Sequence, residues 1–310
     1  MTRQPFRFGL TVGGAPNRSE LVSLVQRAEA GGFDVVATAD HLTHRHAVFP
    51  FLATAAQISS LRLGSLVVAN DYRHPVVTAR DAATIDILSE GRFELGIGTG
   101  WIRDQYASTG LPYDDPRTRV DRLEEAVQII KGCWSGDPFT FIGRQYRVEG
   151  VTSPRPIQQP NPPLLVAGSG KRVLTFAAKH ADMVGISPLG SGASSLDDLA
   201  PAIATSGNRI DEQLEWVKDA AGSRFEHLEL NVLVHHGEVT DNPDEGLRRL
   251  AVGGVTPDAI AASPHVLIGR AEEIAELLLA RRERYGITYV VFPSAALDAI
   301  EPVVMSLAGT

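Results

Sequence analysis

The strongest constraint in this chain is a rhythm. A short apolar run is followed by a helix with one apolar face, and the pair repeats to the C-terminus. Residues 8–12 form the first run, closed by Gly13 and Gly14. Leu21, Leu24, Val25 and Ala28 then recur on one helical face. Ser19 is a candidate start cap for that helix and Gly31 or Gly32 a candidate stop. Residues 35–39 are the next run, ending at Asp40-His41. Helices are expected at 50–60, 75–90 and 116–134, with strands from Leu61 and over 93–98. Val120, Leu123, Val127, Ile130 and Trp134 share one face of the helix over 116–134.

Residues 135–163 interrupt the rhythm with Pro138, Pro154, Pro156, Pro160, Pro162 and Pro163. The alternation then resumes: strands begin at Leu164, near Ala181, near Leu228 and at Thr288. Helices are expected over 171–180, 208–221 and 271–285, and a short one closes the chain. Eight such units in ~250 residues plus insertions predict a (β/α)8 TIM barrel with an insertion before strand five. The chain reads as one domain over 1–310. An open doubly wound sheet is the competing arrangement, but so many parallel units in one open sheet would be unusual. Several runs are apolar on both faces, as parallel strands covered on both sides require.

Composition narrows the function classes. A hydrophobic content of 44% can fill one sizeable core, and a net charge of −8 makes a poor surface for nucleic acid. The single cysteine, Cys133, rules out a disulfide framework within one chain and suits a reducing cytoplasm. No segment approaches the ~20 apolar residues of a membrane helix. The opening residues have no apolar core of a secretory leader.

In a parallel barrel, chemistry sits where the strands end at their C-terminal side. Strand two delivers Asp40 and His41, with His44 and His46 close behind. Strand three delivers Val68, Ala69, Asn70 and Asp71; strand four Thr99, Gly100 and Trp101. Strand five delivers Gly168-Ser169-Gly170 before Lys171 and Arg172, and strand seven ends at His235-His236. The glycine-flanked turn can present backbone N–H groups to an anion at a helix start. It can equally be a plain turn capped by Ser169. His41 suits general acid/base work, since imidazole titrates near neutrality. His41, His44 and His46 could instead ligate a metal in a barrel hydrolase, or be solvated loop residues. Adjacent strand residues point to opposite sides, so Asp40 need not touch His41. Asn70 and Asp71 could meet a ligand or form Asx turns. Trp101 could wall a flat ring or simply pack. The phosphate-loop, dinucleotide and serine-elbow motifs are all missing from the sequence.

The segments AEAGGFDVVATADH, LGSLVVANDYRHPVVTARDAATIDILSEGRFELGIGTGW and PPLLVAGSGKRVLTFAAKHADMVGIS, with LIGRAEEIAELL and GITYVVF, carry a resemblance. In their order and spacing the chain resembles the luciferase-like flavin and deazaflavin oxidoreductases, and within them the coenzyme F420-dependent branch. The resemblance implies F420, or alternatively FMN, at the C-terminal face of the barrel. It implies that Asp40 contacts the deazaflavin and that His41 stands near its reacting carbon. It places Thr99 and Gly100 along the cofactor and Gly168, Ser169 and Gly170 around its phosphate, with Lys171 or Arg172 near the acidic tail. Val68, Ala69 and Asn70 would form a bulge behind the ring, near a non-proline cis peptide. A small-molecule substrate and a homodimer are implied too. Two departures stand out. Trp101 replaces the acidic residue of the sugar-phosphate dehydrogenase branch, which argues against that substrate. Gln105-Tyr106 stands where many relatives have Glu-Tyr. Besides the F420 oxidoreductase, three readings stay open: an FMN monooxygenase, a metal hydrolase and a non-catalytic cofactor carrier.

Overall fold

A computed structural model describes residues 4–43, 46–189, 195, 198–251 and 255–310. Its barrel strands are β1 (Arg7–Thr11), β2 (Val35–Thr38), β3 (Arg62–Ser65, continued by Val68–Ala69), β4 (Phe93–Gly98), β5 (Leu164–Gly168), β6 (Met183–Ile186), β7 (Glu229–Leu233) and β8 (Ile287–Pro293). Each pairs in parallel with its sequence neighbours, and β8 pairs with β1, which closes the ring. The architecture is therefore the closed eight-stranded parallel barrel expected from the alternation. Among the described residues no helix is long and apolar enough to cross a membrane.

The doubly apolar strands have a simple reason. Phe8, Leu10, Val36, Leu63, Phe93, Leu95, Ile97, Leu164 and Val166 belong to the large core between strands and helices. Their alternates Val35, Leu165, Met183, Tyr289 and Val291 form a second, smaller cluster. With side chains alternating along each strand, that second cluster fills the barrel interior. Space there is short. A Cβ on Gly96 would lie 2.0 Å from the Ser65 carbonyl oxygen, so no other residue fits opposite that strand.

The helices are α1 (Arg18–Ala30), α2 (Val48–Ile58), α3 (Pro75–Leu88), α4 (Arg103–Thr109), α5 (Pro116–Cys133), α6 (Lys171–His180), α7 (Leu199–Thr205), α8 (Ile210–Ala221), α9 (Pro243–Leu250), α10 (Pro257–Ala261), α11 (Ala271–Tyr285) and α12 (Leu297–Leu307). Asn17, not Ser19, caps α1: its side chain accepts the Glu20 N–H, while Ser19 falls inside the helix. Gly31 ends it as expected. Asp115 caps α5 by accepting from Arg117 and Thr118, with Pro116 preset for the first turn. Trp134 closes α5 and donates its indole N–H to the Ala79 carbonyl in α3 at 3.0 Å.

The proline-rich excursion contains an antiparallel hairpin, Phe139–Ile142 with Arg147–Val151. Glu125 of α5 clamps its turn by accepting from the N–H groups of Arg144, Gln145 and Tyr146 at 2.8–3.0 Å. Sequence patterning missed a second small unit. His236–Val239 pairs in parallel with Val266–Gly269 beyond β7, supported by α7, α9 and α10. His235-His236 therefore does not end a barrel strand. It links β7 to this extra pair.

Candidate active site

The C-terminal rim of the barrel gathers the polar strand ends, starting with β2. Asp40 is 7% exposed. Its Oδ2 accepts the Ala69 N–H at 3.2 Å, and Arg73 donates to both carboxylate oxygens, with Nη2 to Oδ1 at 3.2 Å. Asp40 thus joins the end of β2 to the continuation of β3 and makes a two-pronged ion pair with Arg73. The Arg73 guanidinium also lies over the Phe49 ring at 5.5 Å. The sequence assigned Asp40 to a ligand alone and gave no sign of Arg73, which follows in the connection to α3.

His41 is half-buried, and its Nδ1 lies 3.2 Å from Nε2 of Gln105 in α4. Gln105 is itself buried, and its Oε1 accepts from the Leu42 N–H at 3.1 Å and the Tyr72 hydroxyl at 3.2 Å. His46 points elsewhere: its Nε2 sits within 3.0 Å of the Ala15 backbone. His44 lies outside the described residues. Among the described residues no three His, Cys, Asp or Glu side chains converge as metal ligands.

Behind these groups, β3 is broken. The cis peptide is Leu66–Val67, one residue earlier than the Val68, Ala69 and Asn70 stretch where it was expected. Asn70 and Asp71 bond to side chains rather than closing Asx turns. Asn70 Nδ2 donates to the Tyr146 hydroxyl at 3.2 Å, tying the inserted hairpin to the rim. Asp71 Oδ2 accepts from Arg122 at 3.2 Å and from the Tyr106 hydroxyl at 3.4 Å. Burial pushes the Asp71 carboxyl up to about 6, against the pull of Arg122 and Arg119. Burial likewise raises the Tyr72 phenol to about 12, so it stays neutral.

After β4, Gly100 turns with φ +74°, and a Cβ there would stand 2.0 Å from the Tyr106 hydroxyl oxygen. That position therefore admits only glycine. Arg119 of α5 donates to the Gly100 carbonyl and stacks on Tyr113, whose hydroxyl bonds the Trp101 carbonyl at 3.1 Å. The Thr99–Trp101 turn is thus held from outside. Thr99 donates to the Gly100 carbonyl at 3.2 Å.

The Gly168–Gly170 turn opens α6, and its cap is Gly170 with no side-chain capping bond, so Ser169 is not the cap. Gln213 of α8 pins the turn by donating to the Ser169 carbonyl at 3.1 Å and the Ser187 carbonyl at 3.3 Å. A Cβ on Gly168 would collide with Val173 at 2.6 Å, whereas one on Gly170 would meet nothing within 4 Å. Space is therefore open beside Gly170, and the first N–H groups of the helix lack intrahelical partners. Arg172 does not serve it. That guanidinium is paired to Asp121 and Glu124 of α5 at 2.6 Å. Lys171 is exposed and makes no ion pair among the described residues.

The model of the luciferase-like monooxygenase family matches residues 3–225. The chain belongs to that family. It is 36% identical over 171 residues to the F420-dependent hydroxymycolic acid dehydrogenase of Mycobacterium tuberculosis, covering 52% of this chain and 47% of the relative. It is 33% identical to the oxygenase component of the flavin-dependent trigonelline monooxygenase of Acinetobacter baylyi, covering 58% and 51%. It is 34% identical to the F420-dependent glucose-6-phosphate dehydrogenase of Nakamurella multipartita, covering 68% and 66%. The aligned part thus spans about half to two thirds of these relatives. The coenzyme F420-dependent tetrahydromethanopterin reductase of Methanopyrus kandleri shares the fold, with TM-score 0.73, 18% identity and 99% and 98% coverage.

Proposed function

We propose that the chain is an oxidoreductase that transfers a hydride between coenzyme F420 and a small organic substrate. The observation that carries this reading is the α6 start. A helix N-terminus without a side-chain cap has open space beside Gly170 at the barrel rim, and its first residue, Lys171, makes no ion pair among the described residues. Such a terminus suits a phosphate. Relatives named F420-dependent favour F420 as the group that bears it.

In this reading Gly168, Ser169 and Gly170 hold the phosphate, and Thr99 and Gly100 line the cofactor. Val68, Ala69 and Asn70 back its ring. Asp40 acts through what it grips, fixing Ala69 and Arg73 at the edge of the site. When bound, F420 supplies the two-electron carrier for hydride transfer. His41 acts on the substrate through a ring N–H, as a hydrogen-bond donor to the oxygen at the reacting carbon. The flavin-dependent relative supports a second reading, an FMN monooxygenase on the same barrel.

Titration with F420 and with FMN separates the two. F420 should bind more tightly. Gly170→Asp places a carboxylate in open space without disturbing packing, so it should weaken F420 binding by about 100-fold through like-charge repulsion. Tighter binding of FMN, or F420 affinity unmoved by Gly170→Asp, would overturn the proposal. Gly168 is a poor site for this test, because its clash with Val173 would confound binding with packing.

A further inference from the structure

We propose that Gln105 is a positioning residue that fixes His41 as the neutral tautomer carrying its proton on Nε2. The assignment rests on which atom of the Gln105 amide can accept. The Leu42 backbone N–H can only donate, and it points at Oε1 from 3.1 Å. The Tyr72 hydroxyl points at the same oxygen from 3.2 Å. That oxygen is therefore the carbonyl end, and the atom 3.2 Å from His41 Nδ1 is the amide nitrogen. An amide nitrogen only donates. His41 Nδ1 must then offer its lone pair, which leaves the ring proton on Nε2.

Turning the amide over does not escape this. It would set the NH2 group against the Leu42 N–H, so a backbone donor next to a buried side chain would lose its acceptor. Two neighbouring groups among the described residues are engaged or neutral. Asp40 precedes it in the chain, but both of its oxygens are taken by Arg73 and the Ala69 N–H. Tyr72 is a neutral phenol. Protonating Nδ1 would bring two N–H groups face to face. The resting imidazole is accordingly held neutral, with Nε2 as its hydrogen-bond donor. A neutral imidazole of this kind can polarise a substrate oxygen.

The chemical consequence is clearest against a glutamate at this position. A carboxylate there would accept from Nδ1–H and favour the opposite tautomer and the cation. Gln105 selects a donor at Nε2 in place of a ring poised to be an imidazolium. This role depends on the F420 reading only for its use in turnover, because the tautomer exists in the cofactor-free protein.

The test is nitrogen-15 NMR of the His41 ring in cofactor-free protein, assigned by loss of the signals in His41→Gln. Wild type at neutral pH should show protonated Nε2 and unprotonated Nδ1, an observation that needs no folded variant of Gln105. Gln105→Glu should move the proton to Nδ1. A merely structural role for Gln105 would leave the ring nitrogens as they are. Protonated Nδ1 in wild type, or an unchanged tautomer in a folded Gln105→Glu, would overturn the proposal. F420 titration of the same samples keeps the two ideas apart. The Nε2–H tautomer without F420 binding would sink the function and leave the positioning role standing; F420 binding with Nδ1–H would do the reverse.

Discussion

At the N-terminal end of the barrel, Glu94 of β4 lies between Arg7 of β1 and Arg62 of β3, and Glu229 of β7 takes the other arm of Arg7. At the C-terminal end, Asp40 grips Arg73, and Asp71 faces Arg122. The same side-chain types serve both ends, yet the surroundings differ. The floor is filled: Tyr289 is fully buried beside the cluster, with the Arg7 guanidinium 4.6 Å from its ring centre. The rim carboxylates sit in the connections after β2 and β3, and each one fixes a backbone turn or a neighbouring polar group. Charge pairs at the floor close the barrel, while those at the rim place atoms around an opening. Conservation of shape at the floor and of position at the rim is what a (β/α)8 scaffold requires.

Breaking the floor should give the largest effect. Glu94→Ala removes the buried carboxylate that Arg7 and Arg62, both partly exposed, share. Removing one member of a buried ion pair costs about 3–5 kcal/mol. Urea unfolding should show a loss of that order, while the F420 affinity of the folded fraction stays within about 3-fold, well under one 1.4 kcal/mol step. An unaltered stability would mean that the floor is solvated and the contrast with the rim is false.

The next effect is a pH dependence at the rim. Asp71 is held up at about 6 from 3.8, mainly by burial. The native state therefore binds this proton more tightly than the unfolded chain. The resulting stability is fully present below 3.8 and is lost as pH rises through about 6. A shift of this size corresponds to about 3 kcal/mol. Asp71→Asn removes the titration, so the stability difference between wild type and variant should drift by that amount between pH 4 and 7. A flat difference would show that Arg122 neutralises Asp71 as fully as Arg7 and Arg62 neutralise Glu94.

These contrasts explain which parts of the molecule were readable in the sequence. Strand and helix positions follow from period-2 and 3.6-residue patterns, which is why β4, β5, α6 and α11 fell at the expected residues. Asp40, His41 and the Gly168–Gly170 turn were readable because strand ends mark the active rim. Their partners were not. Arg73, Gln105, Arg119 and Gln213 come from the segments between strands, where no periodicity says which residue turns inward. Gln105 had one signal, its place beside Tyr106 where relatives carry Glu-Tyr, and that signal gave no contact. The small pair at His236–Val239 and Val266–Gly269 was hidden because its first strand is only half-buried and 26 residues separate the two.

The smallest effect concerns the two cations at the α6 start, which the sequence alone made interchangeable. Arg172 is 45% exposed and spends its guanidinium on Asp121 and Glu124. Exposed pairs of this kind contribute about 0–1 kcal/mol, so Arg172→Gln should barely change stability. Its charge is already balanced across the α5–α6 contact, so F420 binding should also hold steady. Lys171 has no such partner among the described residues, and beside the proposed phosphate it would retain its attraction. Lys171→Gln should therefore weaken F420 binding by several-fold at low salt, an effect that fades as added salt screens it. Equal losses in the two variants would mean that Arg172 leaves Asp121 and Glu124 when the anion arrives. The rim would then rearrange its ion pairs on binding, which the packed floor cannot do.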